Sequence, residues 1–105
     1  KGLAKSRVAL RFNTGALASP QLFSPAPNPF TDRTNISFYL PENSVVQLRL
    51  VDLNGRVVWH EQGSLPAGHH QRTLSGPDLG APGVYVCELI SGSFRIVQKL
   101  VLLDH

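Results

Sequence analysis

An all-β domain is what the sequence predicts, an immunoglobulin-like antiparallel β-sandwich of about seven strands. Three observations predict it. Short segments alternate apolar and polar residues at period two, as half-buried strands do. Turn residues punctuate those segments every 8 to 12 residues or so, the spacing of sandwiches. Nine Gly and eight Pro are spread so widely that few windows would hold a stable helix.

The elements follow in chain order. Lys1 to Ser6 reads as the end of a linker, and residues 7–105 as the sandwich. Val8, Leu10 and Phe12 alternate with Ala9 and Arg11, which predicts a first strand. Asn13 to Pro29 carries Pro20, Pro25, Pro27 and Pro29 and reads as a connection, extended where the prolines sit. Thr34 to Leu40 puts Ile36, Phe38 and Leu40 on one face and Asn35, Ser37 and Tyr39 on the other. Pro41-Glu42-Asn43 breaks that strand. Val45 to Val51 sends Val46, Leu48 and Leu50 inward and Gln47 and Arg49 outward. Asn54-Gly55 then predicts a type I′ hairpin turn, because both residues tolerate positive φ. The returning strand is Arg56 to Gln62, with Val57 and Trp59 expected on one core-facing side.

A loop from Gly63 to Gly68 leads to a short strand, His69 to Leu74. Ser75 to Pro82 is a second loop. Gly83 to Ile90 is a strand, Ser91-Gly92-Ser93 a turn, and Phe94 to Leu103 the last strand. A helix also fits the spacing of Val46, Leu50 and Leu53, and of Ile96, Leu100 and Leu103. The β-branched Val and Ile and the hairpin-type turns flanking each segment decide for strands.

Composition narrows the function. One domain fits 105 residues. Hydrophobic residues are 42% and charged residues 16%, too apolar for a disordered tail. The apolar runs near Val45 and Leu100 are interrupted by Gln47, Arg49, Gln98 and Lys99, so neither is a transmembrane helix. The net charge of +3 comes from scattered residues. Nucleic-acid binding leaves a dense basic stripe, and none is present. Lys1 is not a Met and no signal-peptide pattern follows it, which reads as a piece of a longer protein. Leu103-Asp104-His105 reads as a natural stop.

Nothing in the sequence assembles a reaction centre, and no enzyme, cofactor or small-molecule substrate is expected. The carboxylates Asp32, Glu42, Asp52, Glu61, Asp78, Glu88 and Asp104 fall mostly in turns, where Asp bonds local backbone. The lone Cys87 sits in an apolar run as a small buried hydrophobe, without a neighbouring base to activate it. His69 and His70 are adjacent and point to opposite faces of a strand. His60 could approach either across strands, but zinc-type ligand spacing is missing, so no metal site is expected. Gly-x-Ser-x-Gly and phosphate-loop motifs are absent. Asn35-Ile36-Ser37 matches the glycosylation sequon but lies inside a strand. Sugar-binding sandwiches display rows of aromatics, and Tyr39 is the best exposed one here.

Five marks occur in order. The first is Pro27-Asn28-Pro29-Phe30, followed by a polar gap, Thr34, and alternating apolar residues ending at Leu40-Pro41. Next come Gly55-Arg56 after an apolar strand, and Leu65-Pro66-Ala67-Gly68 with His70 two beyond the glycine. Gly83-Val84-Tyr85 and Lys99-Leu100-Val101-Leu102 complete the set. In this order the chain resembles the type A C-terminal sorting domains of the type IX secretion system of Bacteroidetes. The marks span Pro27 to Leu103. Leu74 stands where the family often has Trp, and Cys87 is not a family feature.

Physical reasons agree with the marks. Asn28 between two prolines can cap a sharp lead-in to the first strand, and Phe30 can staple it to the core. Gly55 permits a tight turn. Tyr85 can bury its ring and hydrogen-bond its hydroxyl. Leu100 and Leu102 point to the core, with Lys99 on the other face.

The resemblance implies a function by recognition. An upstream passenger, covalently joined to this domain, would cross the periplasm. The outer-membrane translocon and its shuttle proteins would read the domain, and a surface sortase would cut on its N-terminal side. The cut would fall in or before Lys1 to Ser6, or less favourably in Asn13 to Gln21. An exposed edge strand could add main-chain hydrogen bonds to a partner. The residues implied in recognition are Pro27, Asn28, Pro29, Phe30, Gly55, Arg56, Gly68, Gly83, Tyr85, Lys99, Leu100, Val101 and Leu102. The competing reading is an accessory module of a secreted enzyme, either carbohydrate-binding or a spacer.

Overall fold

A computed structural model describes residues 19–104. The expected strand at Val8 to Phe12, the linker Lys1 to Ser6 and most of Asn13 to Gln21 lie outside the described residues.

Seven strands form two antiparallel sheets: β1 (Gln21–Leu22), β2 (Arg33–Leu40), β3 (Ser44–Asp52), β4 (Val57–Leu65), β5 (Gly68–Ser75), β6 (Gly83–Ser91) and β7 (Phe94–Leu102). One sheet has the order β1-β2-β5 and the other β4-β3-β6-β7. Packed face to face, they make the expected sandwich. Alternation decides which faces meet. Ile36, Phe38 and Leu40 of β2 are buried, as are Val46, Leu48 and Leu50 of β3, while their neighbours face out. Leu89 and Cys87 of the central β6 and Leu100 and Leu102 of β7 complete the interior. Each such large aliphatic or aromatic side chain removed from water contributes about 1.5 to 3 kcal/mol.

The segment read as a proline-rich connection pairs with the two sheets in turn, as the short β1 and then through isolated bridges. Its first half belongs to the three-stranded sheet: Gln21 and Leu22 face Tyr39 and Phe38, and Ala26 bridges Asn35. Its second half crosses to the four-stranded sheet, where Phe30 bridges Leu102 in parallel. The Ala26–Pro27 and Asn28–Pro29 peptides between the halves are both cis, not the extended connection that the prolines suggested. Without N–H groups the prolines interrupt ladder pairing. That is why the run looks like a loop in sequence.

Four local expectations are corrected. The Gly55 amide donates to the Asp52 carbonyl at 3.0 Å, and the Asp52 amide to the Arg56 carbonyl at 2.9 Å. Leu53 and Asn54 therefore occupy the centre of the turn, and Gly55 follows at φ 85°. This is a three-residue connection with a glycine bulge, not a two-residue type I′ turn. The Asp52 carboxylate favours it by accepting the amides of Asn54 and Arg56, both at 2.9 Å.

The register then slips between Leu50 and Val51, which face Trp59 and Val57. A bulge reverses the facing of side chains, so Val57 and Trp59 are not on one side. Val57 is exposed, while Trp59 packs half-buried against the core.

The expected loop after Leu74 contains one helical turn, α1 (Gly76–Leu79). Pro77 suits its first turn. The Asp78 carboxylate accepts from the Ser75 amide at 2.8 Å, and Gly80, at φ 108°, closes the turn by donating its amide hydrogen to the Gly76 carbonyl at 3.0 Å. Tyr39 is half-buried against His69, and Phe23 and Phe94 are more exposed than it.

The interior is expected to respond as close-packed material. Phe38→Ala should lower urea stability by about 3 to 5 kcal/mol. Leu53→Ala, on a side chain that is 73% exposed, should change it by less than about 0.5 kcal/mol.

Candidate functional site

A sandwich has two seams where edge strands of opposite sheets meet, and each is closed by a different chemistry here. At one seam lie β4 and β5. Glu61 and Arg72 both face inward, opposite Leu48 and Ile36. Arg72 grips Glu61 with two parallel bonds of 2.8 Å, from Nε to Oε1 and from a terminal nitrogen to Oε2. Such a fork is directional as well as attractive. The guanidinium also lies 5.9 Å from the Phe38 ring centre, and His70 stacks on that ring at 5.3 Å. His70 Nε2 is 2.7 Å from the Pro66 carbonyl.

At the other seam lie β1 and β7, and here three of the five sequence marks converge. The Asn28 carboxamide behaves like one residue of an additional strand. Its Nδ2 donates to the Lys99 carbonyl at 2.9 Å, and its Oδ1 accepts from the Val101 amide at 3.0 Å. Two residues on, the Phe30 amide donates to the Val101 carbonyl at 3.0 Å, and the Leu103 amide donates back to the Phe30 carbonyl at 2.8 Å. The Phe30 ring is buried beneath this strap. On the far side of β7, Gly83 faces Leu102 and Tyr85 faces Leu100. The Tyr85 ring is buried and its hydroxyl donates to the Ala81 carbonyl. Gly83, at φ 150°, has a conformation that a side chain would disfavour. Lys99 to Leu102 is thus held on one side by Asn28 and Phe30 and on the other by Gly83 to Tyr85.

The remaining marks lie elsewhere. Gly55 and Arg56 form the β3–β4 turn at the same end of the sandwich, where Asp52 faces Tyr85. Gly68 begins β5 opposite Leu40, at the other end. Pro27 and Pro29 are exposed around Asn28. The last strand's edge is therefore not free along its whole length: from Lys99 to Leu103 its outward backbone groups are taken by Asn28 and Phe30.

Several supporting residues were not among those implied in recognition. The Thr34 hydroxyl, fully buried, donates to the Pro27 carbonyl at 2.6 Å and holds the strap from below. Gln98 donates from Nε2 to the Leu22 carbonyl at 3.0 Å, tying β7 to β1. On the outer face of the four-stranded sheet, Glu88 is buried between Arg49 and Arg95, which donate to its two oxygens. The available signal was positional: Thr34 and Gln98 fall on inward parity, and Glu88 interrupts an apolar strand.

The titratable groups carry their own signs. Burial raises the Glu88 carboxyl, but the hydrogen bonds and charges of Arg49 and Arg95 outweigh it and leave it below its ordinary 4.5. The Arg72 fork lowers Glu61 likewise. Burial, reinforced by Glu88, pushes the Cys87 thiol up to about 12, so it stays protonated at neutral pH. The three histidines among the described residues occupy three different surfaces: His60 outside the four-stranded sheet, His69 outside the three-stranded sheet, and His70 facing in. Among the described residues no three His, Cys, Asp or Glu side chains gather as metal ligands, and no helix is long and apolar enough to cross a membrane.

Comparison with known proteins follows the same geometry. A family model described as secretion system C-terminal sorting domain matches residues 26–103. The match begins just before the strap and ends at the last residue that it bonds. Among solved structures, the sensor domain of the anti-sigma factor RsgI4 of Pseudobacteroides cellulosolvens superposes with a TM-score of 0.58 at 11% identity, over 83% of this chain and 95% of that one. That likeness concerns the fold alone. No curated protein matches the chain in sequence.

Two measurements check this account. Asn28→Ala removes two neutral hydrogen bonds and should cost about 1 to 2 kcal/mol, with hydrogen exchange at the Val101 amide accelerating before exchange in the core. Glu61 and Glu88 both titrate lower in the folded state than their ordinary 4.5. Their stabilisation is therefore complete above that value and is lost as pH falls through the depressed folded values. Melting temperature should be level near neutrality and decline below pH 4.5, and Glu61→Gln should flatten that decline.

Proposed function

The chain belongs to the secretion system C-terminal sorting domain family of type IX secretion, and on that premise we propose that it acts as a folded address read by the outer-membrane translocon and its shuttle proteins. Membership makes it a C-terminal sorting signal that works with the type IX machinery. It directs export toward the outer membrane, the cell surface or the medium. The single observation that carries the reading is the family match across residues 26–103.

The finer steps are part of the proposal. The passenger joined upstream crosses the periplasm with the domain attached. Residues 7–105 serve as the signal, and Lys1 to Ser6 join it to the passenger. A surface sortase then removes the domain on its N-terminal side. The domain performs no bond chemistry of its own and needs no cofactor. Its contribution is rigidity: Pro27 to Phe30, Lys99 to Leu102 and Gly83 to Tyr85 form one hydrogen-bonded patch. What supports recognition there is that three marks distant in sequence share a single edge of the sandwich. Gly55, Arg56 and Gly68 shape turns outside that patch, and their role in the proposal is to set strand register.

Fusing residues 1–105 to a periplasmic reporter, in a bacterium that has the system, tests the proposal. The intact fusion is expected at the surface or in the medium, and deletion of Lys99 to His105 should retain it in the periplasm. Equal export of both fusions, or of neither, refutes the reading. Specific binding on a glycan array without export would favour an accessory sugar-binding module instead.

A further inference from the structure

The outer face of the four-stranded sheet is not covered by any described part of the chain, and its composition is unusual. Three strand-crossing rows define it. Val57, Val51, Val86 and Lys99 form one row, His60, Arg49, Glu88 and Val97 the second, and Gln62, Gln47, Ile90 and Arg95 the third. Val57 is 43% exposed and Val97 46%. The face holds three cations, Arg49, Arg95 and Lys99, against one carboxylate, Glu88. The other described residues hold three cations against six carboxylates. A net positive, valine-bearing face therefore stands on a domain whose remaining described surface is net negative.

Glu88 explains how the cations are arranged. Each of its oxygens accepts from one arginine, Arg49 or Arg95, and 3% of the residue is exposed. One buried negative charge thus fixes two guanidiniums across the strands, and their surplus charge faces solvent with that of Lys99. A phosphate site wants free guanidinium forks converging on one point. Here each guanidinium is already tied by one bond to Glu88, and valines separate the charges. Flat aliphatic surface interleaved with fixed positive charge matches a protein surface better than a phosphate group.

From these observations we infer that the outer face of the four-stranded sheet is a docking face for an acidic protein surface carrying aliphatic side chains. The inference rests on the sorting reading, and it places a contact on a face different from the strapped edge of β7. Charge complementarity of this kind steers association and excludes wrong partners.

Negative charge introduced on this face, at exposed positions that neither hold Glu88 nor belong to the strapped edge, tests it. In the reporter fusion to residues 1–105, Val57→Glu and Val97→Glu should each lower surface-exposed reporter about tenfold, the equivalent of about 1.4 kcal/mol of binding. Periplasmic reporter should rise correspondingly. Gln71→Glu, on the outer face of the other sheet, should export as the unaltered fusion does. Protease resistance of each fusion reports folding, and Val57→Glu decides the matter if Val97→Glu fails to fold. Unchanged export of Val57→Glu overturns the docking face while leaving the sorting reading intact. So does an equal loss in Gln71→Glu. Failure of the unaltered fusion to export overturns both. Co-sedimentation with vesicles of anionic lipopolysaccharide that Val57→Glu abolishes, with export unchanged, would assign the face to a glycolipid and also overturn the inference.

Discussion

A strand at the margin of a sheet leaves a row of amides and carbonyls unpaired, and leaving them so invites pairing with other chains. In this domain the strand in question is β7, and closure of its second half organises much else. Asn28 supplies a carboxamide in place of a peptide group, and Phe30 supplies a peptide group two residues later. For those groups to arrive, the segment from Gln21 must leave one sheet and join the other. Thr34 anchors the crossing point from within, and Gln98 joins the sheets just above it. The order of the strands and the burial of Phe30 are consequences of this one requirement.

The opposite seam solves the same geometric problem with charge. There the inward positions of β4 and β5 carry Glu61 and Arg72, with His70 and Phe38 packed around them. A bidentate pair at a partly exposed seam excludes water less completely than aliphatic packing but fixes alignment better. Glu88 on the outer face repeats the principle, since one carboxylate between two arginines holds three strands in a common register. The domain has little apolar surface to spare at its size, and it uses directional polar contacts at margins where a larger core would use packing.

How much of this was legible in the sequence depended on distance along the chain. Period-two alternation identified β2, β3 and β7 and assigned Ile36, Leu48, Leu50 and Leu100 to the interior, because each strand states its own facing. Tyr85 and Phe30 were likewise readable as buried anchors. The turn at Asn54 was placed correctly but typed wrongly, since the Asp52 carboxylate competes for the same amides. The bulge after it inverted the expected side for Val57. The switch from one sheet to the other escaped, because the partners of Asn28 on β7 are more than seventy residues away and prolines mask the segment's period. The convergence of three sequence marks on β7 is equally long-range, a property of the sheet order rather than of any local pattern.

The strap also sets how the domain carries load. Gln98, midway along β7, donates to the Leu22 carbonyl, and Phe30 lies beside Leu102, where β7 ends. The segments from Leu22 to Phe30 and from Gln98 to Leu102 therefore run side by side in the same direction, with Leu22 and Leu102 toward opposite poles. Tension between those poles acts along the strands and loads the Asn28 and Phe30 hydrogen bonds together, in shear, instead of peeling them one at a time. Pulled along that direction, the seam is tensioned like a lap joint rather than opened like a zip.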